Sequence, residues 1–142
     1  MKFVLVDTSV WSMALRKKML SENEGRLIQF LAQIIRDGRV IMLGAIRQEI
    51  LCGISDEERF EKLRLSLEAF SDFELEENDY ITAARFYNRY RRKGIQGSMT
   101  DFLICAVAVH HDFSILTLDN DFEYYSRYIE IDLTKESDWL KA

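Results

Sequence analysis

Four acidic residues could carry chemistry, two of them at strand ends, where α/β proteins build sites, and two in helices. Asp7 ends the apolar run FVLV and Asp119 follows SILTL. Glu49 stands in AIRQEIL, and Asp101 in SMTDFLICAVA. Each has a simple structural use. Asp7 can cap a helix, and Asp101 stands three residues after Ser98, the spacing of a capping box. Asp119 can cap a helix opening near Asp121, and Glu49 can sit on a solvated face. Taken together they suggest something else. Asp101 introduces residues 102–109, a run apolar nearly all round and therefore expected to be buried. A carboxylate taken inside needs a partner, and no lysine or arginine stands near Asp7, Asp101 or Asp119 in sequence. Several carboxylates at one sheet edge repel one another unless a cation neutralises them. An all-oxygen ligand set suits a hard ion, Mg²⁺ or Mn²⁺.

The elements that must position these residues follow from periodicity. Residues 3–6 predict a buried strand, 40–43 a second and 114–118 a third. Shorter strands are expected at 73–75 and, edge-like, at 128–131. Helices are predicted over 8–18, 24–36, 45–52, 56–70, 79–92 and 121–127, and another from Ser98 to the pair His110–His111. Within 24–36, the residues Leu27, Ile28, Leu31, Ile34 and Ile35 form one apolar stripe, and Gly38 ends it. Strands alternating with helices give a mostly parallel sheet covered on both faces, a three-layer α/β/α sandwich. In such sheets, sites form outside the carboxyl ends of the strands.

The chain has 142 residues, enough for a single compact domain over 1–142 and too few for two. Its 24 acidic against 19 basic residues lean against a nucleic-acid binder. Carboxylates devoted to a metal would nonetheless lower the net charge without repelling RNA once the ion is bound. Cys52 and Cys105 lie in apolar helical contexts without a CxxC pair, so both are read as reduced core residues rather than zinc ligands or a redox dithiol. Asp7 interrupts the first apolar run too early for a signal peptide. No apolar run approaches the ~20 residues that span a membrane. A cytoplasmic protein is expected.

The elements VDTSVW, RQEIL, MTDFLICAVA and LTLDNDF, in that order, resemble the PIN-domain family, and within it the VapC-type toxins of bacterial and archaeal toxin–antitoxin pairs. The resemblance runs from Phe3 to Phe122. It implies a PIN-like fold and a metal-dependent endoribonuclease. On that resemblance Asp7, Glu49, Asp101 and Asp119 are the catalytic residues, with Asp7, Asp101 and Asp119 as ligands of Mg²⁺ or Mn²⁺. Ser9 and Asp121 support the site, Ser9 being favoured over Thr8 as its hydroxyl. Glu49 either ligates, directly or through water, or orients the nucleophile. Gly44 and Ala45 replace a proline common in relatives, which leaves the pose of Glu49 open.

RNA phosphates need cations beside the acidic centre. Arg89, Arg91, Arg92 and Lys93 lead into the loop before Asp101, and Arg16, Lys17 and Lys18 form a second cluster. The helix dipole alone would also favour basic residues at these C-termini. The same holds for His110 and His111, to which no catalysis is assigned. The aromatic residues Trp11, Phe86, Tyr87 and Tyr90 exceed what a small sheet readily hides and suggest a homodimer. The resemblance adds an RNA substrate and a small antitoxin as partners. The alternatives are an RNA-processing nuclease outside any toxin pair, or a non-catalytic binding module of the same fold. A haloacid-dehalogenase phosphatase would want an aspartate where Ser9 stands. A receiver domain would want an acidic pair at the first strand end and a late lysine.

Overall fold

The computed structural model describes residues 2–16 and 19–140. Strand β1 (Val4–Val6) leads to helices α1 (Thr8–Ala14) and α2 (Glu22–Arg36). Then come β2 (Val40–Ile41), α3 (Gly44–Leu51), α4 (Glu57–Ser66), α5 (Glu77–Arg92) and α6 (Met99–His111). The chain continues through β3 (Ser114–Leu116), α7 (Asp121–Tyr125), β4 (Asp132–Leu133) and α8 (Glu136–Leu140). The sheet order is β2-β1-β3-β4 and every pairing is parallel. Val4, Leu5 and Val6 are all buried. Successive strand side chains point to opposite faces, so β1 is covered on both, as a parallel sheet requires.

Helix α6 forms where the sequence is most apolar, and its residues Phe102 to Ala108 are all buried. It packs along α5, which turns its own Ala83 and Tyr90 inward. Around the junction lies an aromatic cluster: Tyr90, Phe102 and Tyr125 have ring centroids 4.9 to 5.7 Å apart. Fully burying a side chain such as Phe102 contributes about 1.5–3 kcal/mol, so this cluster fixes the position of α6 against its neighbours. Burial pushes the Tyr90 phenol up to about 12. It therefore stays protonated and donates to the Tyr125 carbonyl at 2.6 Å.

Several expectations are corrected. Helix α1 stops at Ala14 instead of running to residue 18. Lys17 and Lys18 lie outside the described residues. The second and third strands are shorter than predicted because Met42 makes only an isolated bridge to Asp72, while Thr117 leaves the ladder to bond side chains. That bridge replaces the strand predicted at 73–75. The last strand is 132–133, not 128–131, because residues 126–129 continue α7 as a turn, with backbone bonds from Arg127 to Tyr124 and from Ile129 to Tyr125. Trp11 and Tyr90 are buried in the chain's own core, so they do not argue for a dimer, and Phe86 and Tyr87 are half-buried against it. Cys105 is buried as expected, whereas Cys52 is exposed at the end of α3.

At the far end of the α5–α6 pair, Asp79 is 1% exposed. Its carboxylate accepts from the Glu76 amide at 2.9 Å and closes a capping box at the start of α5. His110 Nδ1 and His111 Nε2 approach the two oxygens at 2.7 and 3.3 Å. Burial opposes ionisation of Asp79, but the Glu76 amide and the two imidazoles outweigh it and hold the carboxyl below its ordinary value of 3.8. A depressed pKa contributes stability above the unfolded value that is lost as pH falls through the folded one. Asp79→Ala should therefore cost about 2–4 kcal/mol in urea unfolding at pH 7. The wild-type advantage should fade as pH falls below 3.8. An advantage of the same size at pH 7 and pH 3 would contradict this reading.

Candidate active site

The site begins where β1 and β3 end. Val6 pairs with Leu116, and the Asp7 amide donates to the Leu116 carbonyl at 2.9 Å. Asp7 and Thr117 therefore emerge side by side. Asp7 Oδ2 accepts from Ser9 Oγ at 2.7 Å and from Thr117 Oγ1 at 2.9 Å. Both hydroxyls also accept from the backbone: Ser9 Oγ from the Leu118 amide and Thr117 Oγ1 from the Asp119 amide, each at 3.0 Å. Asp119 Oδ1 in turn accepts from the Asp121 amide at 2.9 Å. One relay of short polar side chains thus ties the start of α1 to the loop that carries Asp119 and Asp121.

The capping alternatives can now be weighed. Asp7 occupies the N-cap of α1 but makes no side-chain cap bond. Ser98 caps α6 by accepting from the Asp101 amide at 3.0 Å, while the Asp101 carboxylate accepts from the Tyr125 hydroxyl at 2.8 Å. Asp119 does hold the start of α7 with one oxygen. Glu49 is exposed on α3, yet its Oε1 accepts from Thr8 Oγ1 at 2.6 Å across the cleft.

Asp7, Glu49, Asp101, Asp119, Asp121 and Arg91 all line one cavity of about 700 Å³, with Thr8 and Ser9 on its wall. Carboxylate oxygens of Asp101, Asp119 and Asp121 lie within 4.8 Å of one another, the one such acidic, histidine or cysteine group among the described residues. Asp7 stands beside this group rather than in it. An ion with oxygens at about 2.1 Å spans up to about 4.2 Å between opposite ligands, so the donor set fits a hard divalent cation after a small closure. Of the basic run, Arg91 reaches the cavity, held by its bond to Tyr87 Oη at 2.8 Å. Arg89 lies over Phe86, Lys93 lies over Tyr128, Arg92 is exposed, and none of the three lines the cavity. Arg16 is paired with Glu24.

The sequence reading missed Thr117 and Tyr125 and ranked Thr8 below Ser9. Thr117 had a signal in its position two residues before Asp119. Tyr125 had none, because its partner Asp101 is 24 residues away.

Burial raises the pKa of Asp101 above its ordinary 3.8. The Tyr125 and Ser98 hydroxyls favour the ionised form, but the nearby charges of Asp7 and Asp119 add to the upward shift. For a raised carboxyl, the stabilising contribution is complete below the unfolded pKa and is lost as pH rises through the folded value. Ionised Asp101 therefore destabilises the metal-free fold at neutral pH. Asp101→Asn should melt higher than the wild type in a chelator at pH 7, with the gap closing as pH falls toward 3.8. A variant that melts no higher at pH 7 would mean that burial and the neighbouring carboxylates do not together oppose ionisation of Asp101.

A family model described as the PIN domain matches residues 4–128. Two curated relatives, VapC ribonuclease Mb1587 of Mycobacterium bovis and ribonuclease VapC11 of Mycobacterium tuberculosis, are each 29% identical. Each alignment covers 87% of this chain and 92% of the relative. Among solved structures, FitAcB from Neisseria gonorrhoeae superposes with a TM-score of 0.73 at 18% identity, over 95% of this chain and 99% of that one. VapBC2 from Rickettsia felis, bound to a promoter DNA fragment, gives 0.68 at 13% identity over 93% and 97%. These likenesses place the fold with that of FitAcB and VapBC2.

Proposed function

This chain belongs to the PIN-domain family, and on that premise we propose that it is a metal-dependent endoribonuclease acting as the toxin of a type II toxin–antitoxin pair. The observation that carries the reading is the convergence of Asp101, Asp119 and Asp121 within 4.8 Å, in a cleft shared with Asp7 and Glu49. The ribonuclease names of the mycobacterial relatives support the activity, and the FitAB and VapBC neighbours support an antitoxin partner. On this reading residues 1–142 form one nuclease domain that works in the cytoplasm on RNA. A second copy or the antitoxin has an apolar cleft of about 540 Å³ to cover, between Tyr80, Ala84, Tyr87, Met99 and Leu103.

Asp101, Asp119 and Asp121 would hold Mg²⁺ or Mn²⁺, with the charge of Asp7 beside them on the same cavity. When bound, the ion would lower the pKa of a water and offset charge on the phosphate. Glu49, its Oε1 occupied by Thr8, has Oε2 to accept a proton from the attacking water or to orient it. Arg91 on the wall gives a phosphate oxygen a charged donor.

Cleavage of an end-labelled RNA in Mn²⁺ or Mg²⁺ tests the reading. Activity should vanish in a chelator, and Asp101→Asn and Asp119→Asn should each lose at least about 10²-fold while remaining folded. Near-wild-type cleavage by either variant would overturn the assignment. Metal at about 100 times its dissociation constant should stabilise the fold by about 2.7 kcal/mol, a rise of several degrees in Tm. A Tm indifferent to both ions would mean that no such site forms.

A further inference from the structure

Helix α7 carries Asp121, which lines the cavity, and Tyr125, which reaches the cavity-lining Asp101 from within the core. Asp121 opens the helix, and Tyr125, one turn later, closes it. Residues four apart on a helix share a face. Tyr125 is 0% exposed, and its ring packs against Phe122, Phe102 and Tyr90. Its carbonyl accepts from the Tyr90 hydroxyl. Its own hydroxyl leaves this apolar surround at one point only, donating to Asp101 Oδ2 at 2.8 Å. Asp101 belongs to α6 and Asp121 to α7, so this bond sets how far apart the two helices hold their carboxylates.

The loop before α6 is shaped around the same hydroxyl. A Cβ on Gly97 would lie 2.6 Å from Tyr125 Oη and 2.7–2.8 Å from the Phe102 ring. Contacts that short do not occur without displacement of one partner. Glycine at 97 therefore leaves the space in which the hydroxyl meets the carboxylate.

We propose that Tyr125 is a positioning residue for the metal site: its hydroxyl fixes the rotation of the Asp101 carboxylate and the spacing of Asp101 from Asp121, and Gly97 makes room for that bond. The proposal rests on the metal-site reading above. Carboxylates that ligate metals are commonly held by hydrogen bonds of this kind, and removing such a partner typically weakens metal affinity by about 10–100-fold. Phenylalanine at 125 would keep the ring packing and the backbone bond from Tyr90 while deleting the donor alone.

The test is calorimetric titration of Mn²⁺ into the metal-free wild type, Tyr125→Phe, Gly97→Ala and Asp101→Asn, with thermal unfolding of each. Tyr125→Phe should unfold cooperatively and bind Mn²⁺ about tenfold more weakly than the wild type. Gly97→Ala, which keeps the hydroxyl but crowds it, should weaken binding in the same direction, and it carries the test if Tyr125→Phe does not fold. A folded Tyr125→Phe with wild-type affinity, whatever its Tm, would show that the hydroxyl only buttresses α7 and would overturn the proposal. With that variant unfolded, wild-type affinity in Gly97→Ala would do the same. A wild type that binds Mn²⁺ no better than Asp101→Asn would overturn the metal-site reading itself, and this proposal with it.

Discussion

The parallel register of β1 against β3 fixes the rest of the site. Because Val6 sits opposite Leu116, the next residue of each chain, Asp7 and Thr117, emerges at the same level of the sheet edge. A slip of one residue would send every side chain of the slipped strand to the opposite face and would part Asp7 from the Thr117 hydroxyl. The burial of Val4, Leu5 and Val6 on both faces makes such a slip costly. The register is therefore held by the core, while the hydroxyls of Ser9 and Thr117 extend it past the last ladder bond to the loop bearing Asp119.

On that frame the fold brings like charges together. Asp7, Asp101, Asp119 and Asp121 face one cavity, with Arg91 the basic residue on its wall. Hydroxyl and amide donors absorb part of the cost: Ser9 and Thr117 at Asp7, Tyr125 at Asp101, and the Asp121 amide at Asp119. They do not cancel it, since burial and the neighbouring charges still raise Asp101. The contrast is Asp79, buried more deeply but given the Glu76 amide and two histidines, so that its pKa falls. The same residue type thus meets enough donors to favour its charge at one end of the α5–α6 pair and too few at the other.

The sequence made the strand FVLV, the buried helix from Met99 and the acidic positions after the first and third strands readable, because local apolar periodicity and strand ends carry that information. Strands alternating with helices made a mostly parallel α/β sheet readable, and the resemblance carried by VDTSVW, RQEIL, MTDFLICAVA and LTLDNDF implied its PIN-like form. The sequence did not reveal which partners each carboxylate meets. Thr117 to Asp7 and Tyr125 to Asp101 join residues 110 and 24 positions apart, and no local pattern encodes such pairs. His110 and His111 read locally as dipole-favoured ends of a helix, while in the fold they converge on Asp79. Strand ends at 41 and 116 were overextended because apolar residues continue past the last ladder bond. Trp11 and Tyr90 look surplus in sequence only because their partners, Phe70 for Trp11 and Phe102 and Tyr125 for Tyr90, cannot be docked from it.

On the function proposed, these carboxylates form one cation site at the carboxyl end of the sheet. Anomalous diffraction at the manganese edge from crystals soaked in Mn²⁺ tests it most directly. A peak coordinated by oxygens of Asp101, Asp119 and Asp121, with Asp7 adjacent, is expected. Saturating Mn²⁺ that gives no peak in this cleft, or a peak held by other residues, would contradict it.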